Sequence, residues 1–179
     1  AARVTGIRDN GWINVFEKGC IVDSPSTTTT AVLDLRWTLW VREGRENGPL
    51  YYPLRAVESR ADGSWIQLFQ GGCIVDSTST TPQVVHGIRW TRWVAAGRET
   101  GVLGYPVAGL EILPNGAWIQ RFQRGCVTDS TVTTTRVVPG ATWTAWQQVG
   151  REAGALGFPN SEQVEVSGGT VQRFQGGGI

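Results

Sequence analysis

Three arginine–glutamate dipeptides are the charged residues whose types and spacing most resemble those of a catalytic or binding site. They are Arg45-Glu46, Arg98-Glu99 and Arg151-Glu152, spaced 53 residues apart. Hydrolysis by paired carboxylates needs two acids in different environments, one of them kept protonated. Carboxylates that recur at equal intervals share one environment, which argues against an active site. Two interpretations stay open. The dipeptides either line a polysaccharide groove, or they brace glycine-rich loops, with each Glu accepting amide hydrogen bonds and the neighbouring Arg pointing elsewhere.

Aromatic residues supply the binding hypothesis, because sugar rings dock their CH faces on aromatic planes. Nine Trp residues occur in the chain. Six aromatic positions are candidate ligand contacts, beside predicted tight turns or at the end of a repeated hexapeptide: Trp12, Trp65, Trp118, Tyr52, Tyr105 and Phe158. The Trp pairs that start at Trp37, Trp90 and Trp143 are spaced i, i+3, which places both rings on one helical face. We expect these pairs to form the core.

The remaining chemistry-bearing residues favour structural roles. His86 is the single histidine, and Leu33 and Pro139 stand at its counterparts, so a general base is not indicated. Asp23, Asp76 and Asp129 are each followed by Ser. One carboxylate per repeat is too few for calcium, which wants about six to eight oxygens, and an Asx or Ser/Thr turn is the simpler interpretation. Nucleophile-elbow, zinc-helix and phosphate-loop motifs are absent. We therefore expect no enzyme, no metal and no cofactor.

Composition and charge narrow the partners. The 179 residues carry a formal net charge of +1, and no segment collects Lys or Arg, so the sequence predicts no nucleic-acid partner. No apolar stretch approaches the roughly 20 residues of a membrane span. Methionine is absent even at position 1, so we expect a processed or excised piece of a longer polypeptide. Three Cys at matching positions are expected to be buried free thiols acting as small hydrophobic residues.

The chain is organised by an internal repeat of 53 residues without insertions. The repeats are 1–53, 54–106 and 107–159, followed by a partial repeat, 160–179, and we expect them to form one domain. Each repeat reads as a strand, a tight turn, a second strand, a glycine turn, a third strand, a threonine-rich loop and a short helix closed by Gly. The hexapeptides GPLYYP, GVLGYP and GALGFP then join one repeat to the next.

The predicted fold class is therefore mostly β with one short helix per repeat. The sheets are arranged either as a propeller-like ring or as a short solenoid. The partial repeat either closes a ring by pairing with an edge or begins a further repeat.

The pattern W-x-x-x-G-R-E-x-G-x-L-G-[YF]-P, seen from Trp93 to Pro106 and from Trp146 to Pro159, resembles the LGFP repeat family. The resemblance covers essentially the whole chain. It implies a module of secreted proteins of mycolic-acid-bearing actinobacteria, where it accompanies mycoloyltransferases and peptidoglycan-directed hydrolases and is thought to attach them to the cell wall. It also implies propeller-like packing of the tandem copies.

Two departures from the family pattern bear on the function. Tyr51 stands where the family has Gly, which predicts either backbone strain or a different loop. The family often has an aromatic residue just before the Ser of its G-x-I-x-x-S strand, where this chain has Asp23, Asp76 and Asp129. The ligand is therefore expected to differ from that of relatives in which such a ring contacts sugar.

The resulting prediction is a non-catalytic, secreted module that anchors to envelope polysaccharide, either arabinogalactan or peptidoglycan. A catalytic domain on the same parent chain is an expected partner. The alternative prediction is a structural or protein–protein interaction repeat of the cell envelope.

Overall fold

The computed structural model describes residues 4–179. The chain divides into two compact units, with the boundary between Trp90 and Thr91. Small antiparallel sheets alternate with three α-helices along the described chain. The predicted mostly-β class with tandem repeats is thus confirmed.

The first repeat opens with a four-stranded antiparallel sheet whose strands lie side by side in chain order. The strands are β1 (Val4–Ile7), β2 (Gly11–Phe16), β3 (Gly19–Asp23) and β4 (Thr30–Leu33). Asp9 and Asn10 form the β1–β2 turn with φ of 57° and 60°, since Asp and Asn tolerate the left-handed region better than most residues.

The same sheet recurs in the next two repeats, again in chain order. In the first unit it consists of β5 (Glu58–Ser59), β6 (Trp65–Phe69), β7 (Gly72–Asp76) and β8 (Gln83–His86). In the second unit it consists of β9 (Pro106–Ile112), β10 (Trp118–Phe122), β11 (Gly125–Asp129) and β12 (Arg136–Pro139). The partial repeat forms two short hairpins, β13 (Val164–Val166) with β14 (Gly169–Val171) and β15 (Arg173–Phe174) with β16 (Gly177–Gly178).

Each complete sheet has one strand more than the sequence analysis predicts. The strands β4, β8 and β12 occupy the end of the stretch that was expected to be a threonine-rich loop. Each pairs with the third strand of its sheet through a cross-strand valine–cysteine pair in which both side chains are fully buried: Val32 with Cys20, Val85 with Cys73 and Val138 with Cys126. Burial of these pairs explains why the chain continues as a strand before the helix begins.

One helix follows each complete sheet, as predicted. The helices are α1 (Asp34–Arg42), α2 (Gly87–Ala95) and α3 (Gly140–Gln148). α1 packs against β3 and β4, and α3 packs against β11 and β12. The predicted left-handed glycine after each helix is confirmed, with φ between 86° and 92° at Gly44, Gly97 and Gly150.

A hydrophobic core lies in each unit. In the first unit, Trp40 of α1 and Phe69 of β6 pack with their ring centroids 5.8 Å apart. In the second unit, Trp146 of α3 packs 5.6 Å from Phe174 of the partial repeat. A helix of one repeat therefore covers a hairpin of the following repeat within each unit, and this packing fixes the surfaces on which the candidate site lies.

Candidate functional site

The second Trp of each pair is a core residue that anchors the hexapeptide, which confirms its predicted core role. The rings of Trp40, Trp93 and Trp146 are fully buried. Each indole N–H donates to a backbone carbonyl eleven residues later, at 2.9 Å, and the acceptors are Tyr51, Gly104 and Gly157. A buried indole N–H needs such a partner, so the hexapeptide carbonyl is held in place by the helix.

The hexapeptide is also bonded to the hairpin of the next repeat by a glutamine at a fixed position. The backbone N–H groups of Gln70, Gln123 and Gln175 donate to the carbonyls of Tyr52, Tyr105 and Phe158 at 2.9–3.0 Å. The side-chain Oε1 of each of these glutamines accepts the backbone N–H of the same partner at 2.8–3.2 Å. Gln70 and Gln123 are 53 residues apart, and Gln175 follows 52 residues later because the partial repeat is one residue shorter. The sequence analysis missed this recurrence.

The predicted ligand contact of the hexapeptide aromatic residues is contradicted by burial at Tyr52 and stays a prediction at Tyr105 and Phe158. Tyr52 and Phe158 are 2% and 5% exposed, and the Tyr52 ring belongs to the hydrophobic core of the first unit. The Tyr52 hydroxyl donates to the carbonyl of Arg8. Tyr105 is half-buried, and Phe158 contributes to the lining of a cavity.

Tyr51 adopts the conformation that its glycine counterparts adopt. Its φ is 57°, against 71° at Gly104 and 63° at Gly157. The loop therefore does not differ, and the predicted backbone strain falls on Tyr51.

The arginine–glutamate dipeptides form ion pairs within themselves. Arg45 donates to both carboxylate oxygens of Glu46, from Nε at 3.0 Å and from Nη2 at 2.9 Å, and Arg98–Glu99 and Arg151–Glu152 repeat the arrangement. The expectation that adjacent side chains point apart is wrong, because each arginine has φ of 53°, outside the conformations from which that expectation was drawn. Bonding to Glu46 raises the pKa of Arg45.

Burial and further bonds give these pairs a bracing role. Glu46 is 2% exposed and also accepts from the Asn47 amide at 3.2 Å. Arg151 makes two more bonds, at 2.8 and 3.1 Å, to Glu111 of β9, and these bonds lower the pKa of Glu111. Glu152 also lines a cavity of about 300 Å³ with Leu113, Pro114, Asn115, Ala153 and Phe158.

Trp12, Trp65 and Trp118 are only partly buried, so a ligand can reach their side chains. Each is half-buried at the start of the second strand of its sheet. Directly opposite on the third strand stand Asp23, Asp76 and Asp129, also half-buried. An indole beside a carboxylate thus recurs in all three repeats. Sequence reasoning singled out both residues but missed that the register pairs them.

Cavities adjoin two of these Trp–Asp pairs. One of about 290 Å³ lies in the first unit and is lined by Asp34, Leu35, Arg36, Val57, Ser59, Trp65 and Asp76. One of about 160 Å³ lies in the second unit and is lined by Gly116, Trp118, Asp129, Ser130 and Thr131. The larger cavity is close to the roughly 300 Å³ at which small-molecule pockets begin.

A positively charged and a negatively charged side chain, Arg36 and Asp76, lie beside the indole of Trp65. The guanidinium of Arg36 lies 5.5 Å from the ring centroid, a cation–π distance. Burial lowers the pKa of Arg36, and the charge of Asp34 opposes that shift. Burial likewise raises the pKa of Asp76, against the hydrogen bond from the Ser77 N–H. The cavity therefore offers an aromatic plane, a donor and an acceptor.

The aspartates also organise their own loops, which agrees with the turn interpretation. Ser77 and Ser130 donate backbone N–H bonds to the preceding aspartate at 2.9 and 2.8 Å. In residues 4–179, no group of three or more His, Cys, Asp or Glu side chains is placed to hold a metal ion.

The remaining candidates occupy structural positions. His86 lies 2.6 Å from the Arg89 guanidinium, and burial together with Arg89 lowers its pKa. Cys20, Cys73 and Cys126 are buried and free of disulfides, as predicted. No helix within the described part of the chain is long and apolar enough to cross a membrane.

Repeated four-stranded sheets, each closed by a Trp helix and a bonded hexapeptide, define a tandem-repeat protein of the mostly-β class. The sequence model of the LGFP repeat matches residues 50–101 and 103–154. More than half of the chain is thereby matched, and the chain belongs to the LGFP repeat family. No curated protein matches it.

Proposed function

We propose that this chain is a non-catalytic module that binds cell-wall polysaccharide, arabinogalactan or peptidoglycan, and anchors a secreted protein to the envelope. The observation that carries the proposal is the half-buried Trp beside an Asp on the neighbouring strand in all three repeats. A sugar packs its apolar CH face on the indole and donates hydroxyl hydrogen bonds to the carboxylate. The Trp–Asp pair can therefore bind both the apolar and the polar groups of a sugar.

The arrangement also supports a binding role over catalysis. The most deeply buried carboxylate, Glu46, is already held by its own arginine, so it is not free to transfer a proton to a substrate. Linked weak sites along one chain give useful retention on a polymer, because later contacts become intramolecular. A propeller-like ring or a short stack of repeats, a secreted location and a catalytic domain on the parent chain belong to the same proposal.

The test is co-sedimentation of the full chain with protein-free cell walls from a mycolate-bearing bacterium, before and after removal of arabinogalactan. We expect saturable retention that falls sharply for Trp65→Ala. The matched control is Val94→Ala, an apolar truncation at a side chain 44% exposed on α2, which should bind as the unmodified chain does. Retention that survives removal of arabinogalactan assigns peptidoglycan as the ligand. Absence of retention on both preparations refutes wall binding and favours an envelope protein as the partner.

A further inference from the structure

The three Trp–Asp pairs differ in the hydroxyl group that their carboxylates bind. The Thr29 hydroxyl donates to Asp23 at 2.8 Å, and the Thr135 hydroxyl donates to Asp129 at 2.7 Å. The equivalent position in the second repeat is Pro82, which has no hydroxyl. Within residues 4–179, Asp76 accepts one hydrogen bond, from the Ser77 N–H.

The threonine contacts show what this carboxylate is placed to bind. In the first and third repeats the protein itself supplies a hydroxyl at 2.7–2.8 Å, the distance of a normal O–H···O bond. Bonds of this kind to an ionised acceptor are stronger than neutral ones. In the second repeat a hydroxyl from a ligand can take the same role without displacing one from the protein.

The loop around Asp76 keeps the form of its counterparts despite the proline. Ser77 and Thr80 share a hydroxyl–hydroxyl bond of 2.9 Å, and Ser24–Thr27 and Ser130–Thr133 share bonds of the same length. Pro82 therefore removes a hydroxyl group beside Asp76 without changing the serine–threonine hydroxyl bond of the loop.

The surroundings of Asp76 suit a ligand better than those of Asp129. The adjoining cavity is about 290 Å³ beside Asp76 and about 160 Å³ beside Asp129. Arg36 also lines the larger cavity, and its guanidinium provides donors that complement the acceptor on Asp76.

We infer that the Trp65–Asp76 cavity is the principal ligand site of this chain and takes one neutral sugar unit through its vicinal hydroxyls. One hydroxyl donates to Asp76, the next accepts from Arg36, and the CH face of the ring packs on the accessible part of the Trp65 indole. Asp23 and Asp129 then serve mainly to hold their own loops. This inference rests on the proposed polysaccharide binding.

The test compares three matched variants of the full chain, Asp23→Asn, Asp76→Asn and Asp129→Asn, in the same wall co-sedimentation, with the melting temperature of each measured alongside. Asp76→Asn should weaken the apparent affinity by about tenfold, because the ligand hydroxyl then donates to a neutral amide oxygen in place of a charged carboxylate. Asp23→Asn and Asp129→Asn should bind within about twofold of the unmodified chain, a difference worth less than 0.5 kcal/mol by the same conversion.

A complementary variant restores the hydroxyl that the second repeat lacks. Pro82→Thr should place a threonine hydroxyl on Asp76 and weaken wall binding several-fold without lowering the melting temperature. Equal losses from all three aspartate variants, or unchanged binding by Pro82→Thr, overturn the inference while leaving polysaccharide binding in place. An unmodified chain that is not retained by walls refutes the proposed function itself.

Discussion

One of the two closest backbone approaches in the second unit, at Gly101, gives the sharpest stability prediction. Gly101 follows the Arg98-Glu99 dipeptide, and a Cβ built on it would lie 1.8 Å from the carbonyl oxygen of Ala96. Real Cβ contacts essentially never fall below 3.0 Å, so Gly101→Ala requires a backbone displacement of about 1.2 Å, the difference between these two values. No side-chain rotation can relieve a clash with a carbonyl.

The cost follows from what that displacement breaks. The Ala96 carbonyl accepts the N–H of Val102 at 3.2 Å, so moving it loses about 1 kcal/mol of hydrogen bonding. Overpacking adds about 1–3 kcal/mol, and the lower entropy of the unfolded alanine chain returns about 0.5–1 kcal/mol. Gly101→Ala is therefore expected to lower the free energy of unfolding by about 1–3.5 kcal/mol.

Gly109→Ala is the matched control. Gly109 lies in β9, in the same unit, and its added Cβ would have no neighbour within 4 Å. The control is expected to be neutral or to stabilise by up to about 1 kcal/mol. Urea unfolding followed by Trp fluorescence measures both variants against the unmodified chain. Equal midpoints for Gly101→Ala and Gly109→Ala would refute the steric argument, since only one of them has a clash to relieve.

Three further predictions follow from the core and the titrating groups. Trp93→Phe should lower the free energy of unfolding by about 2–3 kcal/mol, since a fully buried ring loses volume and its bonded N–H, whereas Trp90→Phe at a half-buried ring should cost about 1 kcal/mol; urea midpoints compare them. The bonds from Arg151 lower the pKa of Glu111, so its carboxylate stabilises the fold above the ordinary Glu pKa and this contribution is lost as pH falls through the folded value. Glu111→Gln should therefore flatten the stability decline between about pH 5 and pH 3, and an unchanged acid limb would contradict the assignment. Burial raises the pKa of the Cys20 thiol to about 12, so its stabilising contribution is complete below the ordinary thiol value of about 8.5 and is lost as pH rises from there through the folded value. Cys20→Ala should reduce the slope of stability against pH in that range, and iodoacetamide should label this thiol only after unfolding.

The sequence predicts the repeats, the helices and the buried Trp residues because these depend on side-chain chemistry recurring at a fixed spacing. Trp40 and its counterparts each follow another Trp at i, i+3 on a short helix, and the glycine after each helix marks its end whatever packs around it. The fourth strand is a weaker local signal. One fully buried valine in each of β4, β8 and β12 distinguishes this strand from a loop. That valine stabilises the strand by packing on a cysteine of the neighbouring strand, which a local pattern does not reveal.

The burial of the hexapeptide aromatic residues and the orientation of the arginine side chains cannot be predicted from a local sequence pattern. Tyr52 is buried because its ring joins the hydrophobic core of the first unit and its hydroxyl donates to the carbonyl of Arg8, 44 residues earlier. Arg45 faces Glu46 because its φ is 53°, a conformation that non-glycine residues rarely adopt. The pairing of Trp65 with Asp76 likewise requires the strand register, which the sequence analysis did not assign.

The bonding of the hexapeptide separates the part of this repeat that holds the fold from the part that can specify a ligand. Around Tyr105, the preceding carbonyl accepts the Trp93 indole, the Tyr105 N–H donates to Gln123, and the Tyr105 carbonyl accepts from the same residue. Three backbone bonds constrain the tetrapeptide through main-chain geometry, so its recurrence needs no ligand to explain it. The Trp–Asp surface tolerates more change, because proline replaces threonine at position 82 while the Ser77–Thr80 hydroxyl bond keeps the length of its counterparts. Under the proposed function, ligand specificity should therefore be sought first on the strand faces, where neighbouring repeats differ at position 82.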